Sequence, residues 1–358
     1  FLFEVSLGPP VTFPPVRANT RLMLHPPLLR SLLLTGAFMA FTGVACADRA
    51  VVPGVASDSV PTAPAAPPST ATPLPSPKPS PSAGPNAPPS ADGPWNRDLV
   101  LYSSEDGLTF SNQRTLIERA GVPDVIRDSS GRLIAVFQWF PFDNWDAFDR
   151  VAVAFSSDDG ETWSRPVQVQ VSGMPANLIR PFDPTIVQLP DGRFRLYFTS
   201  RGQGQGELPG IYSAISSDAA VYQFEDGPRF APEGGTVDAS VVFYQAAWHL
   251  FSHNQKANTG QGFHAVSQDG LAFTRLPDVD AGQGRQWIGN AVVTDGVLRY
   301  YGSGRDGVWI ASSKDGAAWT IVGTGPSAGD PCALRLPSGR TLLIAVGPPR
   351  ADAGPRPN

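Results

Sequence analysis

One short pattern limits what this chain can fold into. Ser-x-Asp-Gly followed three residues later by Phe or Trp occurs in Ser103-Ser-Glu-Asp-Gly-Leu-Thr-Phe110 and Ser156-Ser-Asp-Asp-Gly-Glu-Thr-Trp163. It returns in Ser267-Gln-Asp-Gly-Leu-Ala-Phe273 and Ser312-Ser-Lys-Asp-Gly-Ala-Ala-Trp319. Ser216-Ser-Asp-Ala-Ala-Val-Tyr-Gln-Phe224 is a fifth copy that lacks the glycine. The copies follow β-rich runs such as Val151-Ala-Val-Ala-Phe155 and Val308-Trp-Ile-Ala311. Ser and Asp side chains bond turn amides, Gly accepts the positive φ of a tight hairpin, and the aromatic returns the next strand to a core. Asp106, Asp159, Asp269 and Asp315 therefore read as turn-formers rather than as chemistry.

A second pattern alternates with the first. Pro123 to Phe137 reads as strand, turn, strand, and Asp183-Pro-Thr-Ile-Val-Gln-Leu-Pro-Asp-Gly-Arg-Phe-Arg-Leu-Tyr-Phe198 repeats it. Further copies run from Asp238 to Phe251, Asn290 to Tyr301 and Asp330 to Ile344. A period of roughly 40 to 60 residues suits propeller blades with variable loops. Each blade takes two inner strands from the second pattern and two outer strands around the first. The chain opens with an outer pair at Asp98 and closes with an inner pair at Asp330 to Val346. The prediction is an all-β protein, a five-bladed β-propeller whose last blade is closed by N- and C-terminal strands, hiding the open edges. Helix is nearly absent; Thr115 to Ala120 is expected to form at most one turn.

Composition divides the rest of the chain. Residues 48–94 are almost entirely Pro, Ala, Ser and Thr, without the apolar side chains that offset ordering entropy, and read as a disordered linker. Before it, 1–47 reads as a signal-peptide region. The expected start is Met23, followed by Arg30 and an apolar run from Ser31 to Val44 too short to span a bilayer comfortably. Gly43-Val-Ala-Cys46 is similar to a lipobox, while Ala45-Cys-Ala47 also suits ordinary signal peptidase. Export is expected, to the bacterial surface or periplasm or by secretion, with any membrane attachment through a lipid at Cys46. The propeller should occupy 95–350, leaving 351–358 as a disordered tail.

Net charge is −5 without a basic run, which excludes nucleic acid as a partner. Cys46 and Cys332 have no metal or redox spacing, and cleavage would leave Cys332 unpaired. No metal or other cofactor is expected, and the domain reads as a monomer.

Inner strands of a propeller begin beside its central channel, so equivalent residues converge there. Asp124, Asp183, Asp238, Asn290 and Asp330 read as such equivalents. Carboxylates held close raise one another's pKa, and glycoside hydrolysis needs one protonated acid beside one carboxylate. The competing reading is architectural, because Asp before Pro commonly starts turns and caps amides. Beyond the second strands lie Trp139, Arg201, His253 and Arg305, with Arg180 before the second copy. These, with Asn290 and Asp330, are the candidate substrate-binding residues. Trp139, Trp145 and Trp287 could stack on a sugar face, and Arg or His could donate to its hydroxyls. His249 reads as strand packing.

The stretch from Asp183 to Thr199 resembles the blade signature of five-bladed glycoside hydrolases of the family 43 and family 32 type, which include arabinanases, xylosidases and fructosidases. The resemblance touches every blade from Trp95 to Val346. It implies that Asp124 is the catalytic base, Asp183 tunes its pKa and Asp238 holds the place of the acid, with inversion at the sugar. The family uses Glu at that third place; here it is Asp238, and the nearest glutamate is Glu233. The Ser-Asp-Gly copies resemble the Asp box of sialidases, and Leu178-Ile-Arg-Pro181 is similar to their Arg-Ile-Pro element. Sialidases, however, use six blades, three arginines and a tyrosine nucleophile. The leading expectation is a glycosidase acting on a glycan or oligosaccharide; the alternative is a non-catalytic carbohydrate-binding or surface-interaction propeller.

Overall fold

The computed structural model describes residues 93–255 and 260–352. The expected signal region, most of the linker, and the tail beyond 352 lie outside the described residues. Within them the chain forms five antiparallel sheets, each joined mainly by short hairpins. Blade 1 contains Ala120–Arg127, Leu133–Trp139, Arg150–Ser156 and Val167–Gln168. Blade 2 contains Phe182–Gln188, Phe194–Ser200, Gly210–Ser216 and Val221–Phe230, with Gln170–Ser172 added parallel to its outer strand. Blade 3 contains Val237–Tyr244, Ala247–His253 and Gln261–Ser267, its outer strand split into Thr274–Arg275 and Val279–Asp280. Blade 4 contains Arg285–Thr294, Val297–Gly304, Gly307–Ser313 and Thr320–Thr324. Blade 5 joins Gly329–Arg335 and Thr341–Pro349 to Arg97–Ser104 and Ser111–Ile117.

That last pairing is the expected closure. Leu101 lies opposite Ile344, and Tyr102 opposite Leu343. Segment 115–120 is not helical: Thr115 and Leu116 belong to the edge strand. Among the described residues the single helical turn is the 3₁₀ segment Pro94–Asn96.

The core lies between blades rather than inside one sheet. Ala135, Phe137 and Ala154 of blade 1 pack against Leu99, Leu101 and Ile344 of blade 5. Val136 and Val153 face Leu196 and Phe198 of blade 2, and the remaining interfaces repeat the arrangement. Alternating β-branched and aromatic residues suit this geometry, because both faces of each sheet meet a neighbour.

The Ser-Asp turns hold the outer hairpins. In blade 3 the Asp269 carboxylate accepts the amides of Leu271 and Ala272, and the Ser267 hydroxyl donates to it at 2.8 Å. Blades 4 and 5 repeat this at Asp315 and Asp106. The preceding blade grips the turn from outside: the Tyr197 hydroxyl donates to Gly270 O and the Tyr301 hydroxyl to Gly107 O. Blade 1 corrects one assignment. Its turn carries an extra residue, so Asp158 accepts from Thr162 and Ser156, while Asp159 takes the left-handed place at φ 53°. In blade 2, Ala219 adopts φ 66° where the other copies have glycine.

Candidate active site

Every inner strand kinks as it leaves one mouth of the channel. In blade 2 the pairing jumps from Phe182↔Thr199 to Thr185↔Tyr197, looping out Asp183 and Pro184. Blade 3 loops out Asp238 and Ala239, blade 5 Asp330 and Pro331, and blade 1 Val122 and Pro123. The first residue of each bulge is left-handed: Val122 at φ 47°, Asp183 at 48°, Asp238 at 53° and Asp330 at 42°. Asp tolerates that region because its short polar side chain bonds locally; valine does so at a cost. Blade 4 has a longer bulge and brings Ile288 to this place.

The five presumed equivalents therefore lie in two layers. Asp183, Asp238 and Asp330 share one register and, with Asp124 reaching in from the next layer, line a cavity of about 20 Å³ at the mouth, room for about one water. Asp124 and Asn290 stand two residues further along, at the register of Thr185, Ser240 and Cys332. Asp124 is buried, and its Oδ2 accepts from Thr185 Oγ1 at 2.6 Å and Ile186 N at 2.9 Å. Asn290 donates Nδ2 to Asp124 and to Ala333 O, and its Oδ1 accepts Ala333 N at 2.8 Å. Asn290 thus ties blades together, with both ends of its amide bonded to protein. Asp124 likewise stitches blade 1 to blade 2. At the register of Asp183, Asp238 and Asp330, blade 1 carries Val122.

The outer trio is electrostatically uneven. Burial pushes Asp183 up to about 7, opposed by a hydrogen bond from Thr199 and by the Arg180 charge, and reinforced by Asp330 and Asp149. Burial also raises Asp330, opposed by Ser303 and Arg97. Asp238 is held well above the usual carboxylate range by burial, Asp183 and Asp330 together, with no opposing partner. Asp238 is therefore the member most strongly driven to keep its proton. The trio does not form a metal-binding cluster of three or more His, Cys, Asp or Glu side chains, and none exists among the described residues.

The other predicted residues divide. Arg180 pairs with Asp149, which also accepts from Gln138 Nε2 at 2.8 Å, and its charge reaches Asp183. Arg201 is half-buried and bonds Gly202 O. His253 ends its strand at the register of Thr199, its Nδ1 buried without a protein partner. Arg305 lies outside the acidic cavity, lining a separate pocket with Arg285 and Trp309. Trp139 packs against the core between blades 5 and 1. Trp287 is fully buried and donates to Gly260 O, so it offers no stacking face. Trp145 does: it is 44% exposed and rests on Phe148, with ring centroids 4.9 Å apart. Glu233 is not among the residues lining the acidic cavity. His249 packs as expected, against His264 across neighbouring strands. The sequence reading missed Asp149 and Arg97; nothing in their local sequence distinguishes them.

No family model matches the chain, and no curated protein does. Solved structures do. An exo-β-1,3-galactanase from Clostridium thermocellum superposes with a TM-score of 0.51 at 16% identity, over 68% of this chain and 57% of that one. A putative exo-β-1,3-galactanase from Bifidobacterium bifidum gives 0.47 at 11%, over 68% and 95%. A protein of unknown function from Dyadobacter fermentans gives 0.47 at 15%, over 70% and 84%. At such identities the likeness is one of fold: the chain is a five-bladed β-propeller, an architecture it shares with glycoside hydrolases.

Proposed function

We propose that this propeller is an exported glycosidase in which Asp238 is the general acid. The observation that carries this reading is the convergence of Asp183, Asp238 and Asp330 on one cavity with unequal surroundings. Hydrolysis of a glycosidic bond needs a carboxylic acid to protonate the leaving oxygen and a carboxylate to activate water or attack the sugar. Asp238, facing only like charges, supplies the proton. Asp330, beside Arg97 and Ser303, is the carboxylate that stays ionised, and Asp183 sets the balance between them through Arg180. This differs from the assignment the family resemblance implies, because Asp124 is occupied in joining blades. The apolar segment before Cys46 and the Pro-rich linker support export, with attachment through Cys46 or release.

Reducing-sugar release from a panel of neutral and acidic glycans tests the proposal. The wild-type protein should cleave at least one member, and Asp238→Asn should lose activity by a factor of at least 10³. Binding of a glycan without turnover would instead support a carbohydrate-binding propeller.

A further inference from the structure

Beside the acidic cavity, between blades 5 and 1, lies a cleft of about 360 Å³. It shares Val122 and Asp330 with the cavity. Phe140 and Val346 supply apolar walls, and Arg97 a guanidinium near Asp330. Three of its lining residues are glycines, Gly93 ahead of the first strand and Gly121 and Gly329 on inner strands. Gly121 and Gly329 occupy the same register on adjacent inner strands, each immediately before the bulge, where blades 2 and 3 carry Phe182 and Val237. Neither glycine is required by the backbone, since neither has a positive φ. Neither is required by packing. A Cβ on Gly121 would meet only Val346 Cγ2, at 3.8 Å, and one on Gly329 would meet nothing within 4 Å.

Glycine costs folding entropy in a strand, so its use at two matching places with free space beside them calls for another reason. Val122 adds a second. It is the β-branched member of a left-handed register that Asp fills in three other blades. A strained apolar residue where Asp would fit easily marks a place where an apolar surface is wanted.

We infer that this cleft is a subsite for one neutral pyranose ring, held open by Gly121 and Gly329. Its volume falls within the ~300–1,000 Å³ typical of small-molecule pockets. The less polar face of the ring would lie against Phe140 and Val346, and its hydroxyls would meet Arg97 as donor and Asp330 as acceptor. This deepens the glycosidase reading and rests on it for the role of Asp330. It places the bond to be cleaved at the junction of cleft and cavity.

The test is binding of methyl pyranosides of glucose, galactose, mannose, xylose and arabinose, followed by ligand-observed NMR, to the wild-type domain and to Gly121→Leu and Gly329→Leu. Gly121→Ala and Gly329→Ala serve as milder fillings, and thermal melting monitors the fold. At least one pyranoside should bind, and each Leu variant should weaken it tenfold or more with the melting temperature within a few degrees of wild type. No binding by any pyranoside, or unchanged affinity in folded Leu variants, would overturn the subsite. If those variants kept full turnover on a cleaved glycan while Asp238→Asn lost it, the subsite would fall and the glycosidase reading would stand. Pyranoside binding blocked by the Leu variants, without hydrolysis of any glycan, would leave the subsite and remove the enzyme.

Discussion

Asp124 and Thr185 hold the same register on neighbouring inner strands, and the threonine hydroxyl donates to the carboxylate at 2.6 Å. With the Ile186 amide on the same oxygen, this bond joins blades 1 and 2 beside the axis. Asp124→Ala would take the acceptor from three buried donors, on Thr185, Ile186 and Asn290, a loss of about 1–3 kcal/mol. Chemical denaturation should show that loss, while kcat per folded molecule on any cleaved glycan stays within about twofold. A fall in kcat of a hundredfold or more would return Asp124 to the catalytic set.

The outer trio makes the fold less stable in alkali. Asp183 has an ordinary pKa near ~3.9 when unfolded and about 7 when folded, so folding favours its protonated form. That stability is complete below about pH 4 and is lost as pH rises through 7. Asp183→Asn removes the penalty. It should stabilise the domain by roughly 1–3 kcal/mol at pH 8 and by nothing measurable at pH 4, while slowing turnover. Equal destabilisation at both pH values would contradict this.

Asp269 has the opposite sign. Bonds from the Leu271 and Ala272 amides and the Ser267 hydroxyl pull it down to about 2. Its contribution is present above about pH 4 and disappears as pH falls through 2. Asp269→Ala should melt a few degrees lower at pH 7, with the gap closing toward pH 2. In blade 1, Asp158→Ala should cost more than Asp159→Ala, because only Asp158 accepts the turn amide of Thr162.

Closure predicts the effect of truncation. A chain beginning at Ala120 lacks Arg97–Ser104 and Ser111–Ile117, and exposes the edge of Thr341–Pro349. Calorimetry of such a fragment should show no cooperative transition, and it should aggregate through the bare edge. A sharp transition near the wild-type temperature would mean that the terminal strands are dispensable.

The architecture was legible because each blade repeats two signals, the Ser-Asp turn and the paired inner strands. The layering of the site was not. Matching Pro123-Asp-Val-Ile to Asp183-Pro-Thr-Ile by their acidic residues puts Asp124 beside Asp183. Matching Pro123, Pro184 and Pro331 instead puts Val122 there, as the bulges do. The order of two letters held the information. The inter-blade bonds of Asn290 were hidden for a related reason, since a polar side chain on an inner strand can face the channel or bind the next blade, and only the register decides. Asp149 and Arg97 reach the mouth through loop and strand geometry that no periodicity encodes.

Asp183, Asp238 and Asp330, opening three different blades, share one desolvated cavity and do not ionise together. Carboxyl-carbon NMR of aspartate-labelled protein, titrated from pH 3 to 9, reads it directly. Asp238 should titrate well above the usual carboxylate range, and its midpoint should fall when Asp183 is replaced by asparagine. Ordinary midpoints near ~4 for Asp183, Asp238 and Asp330, unmoved by that substitution, would contradict the account.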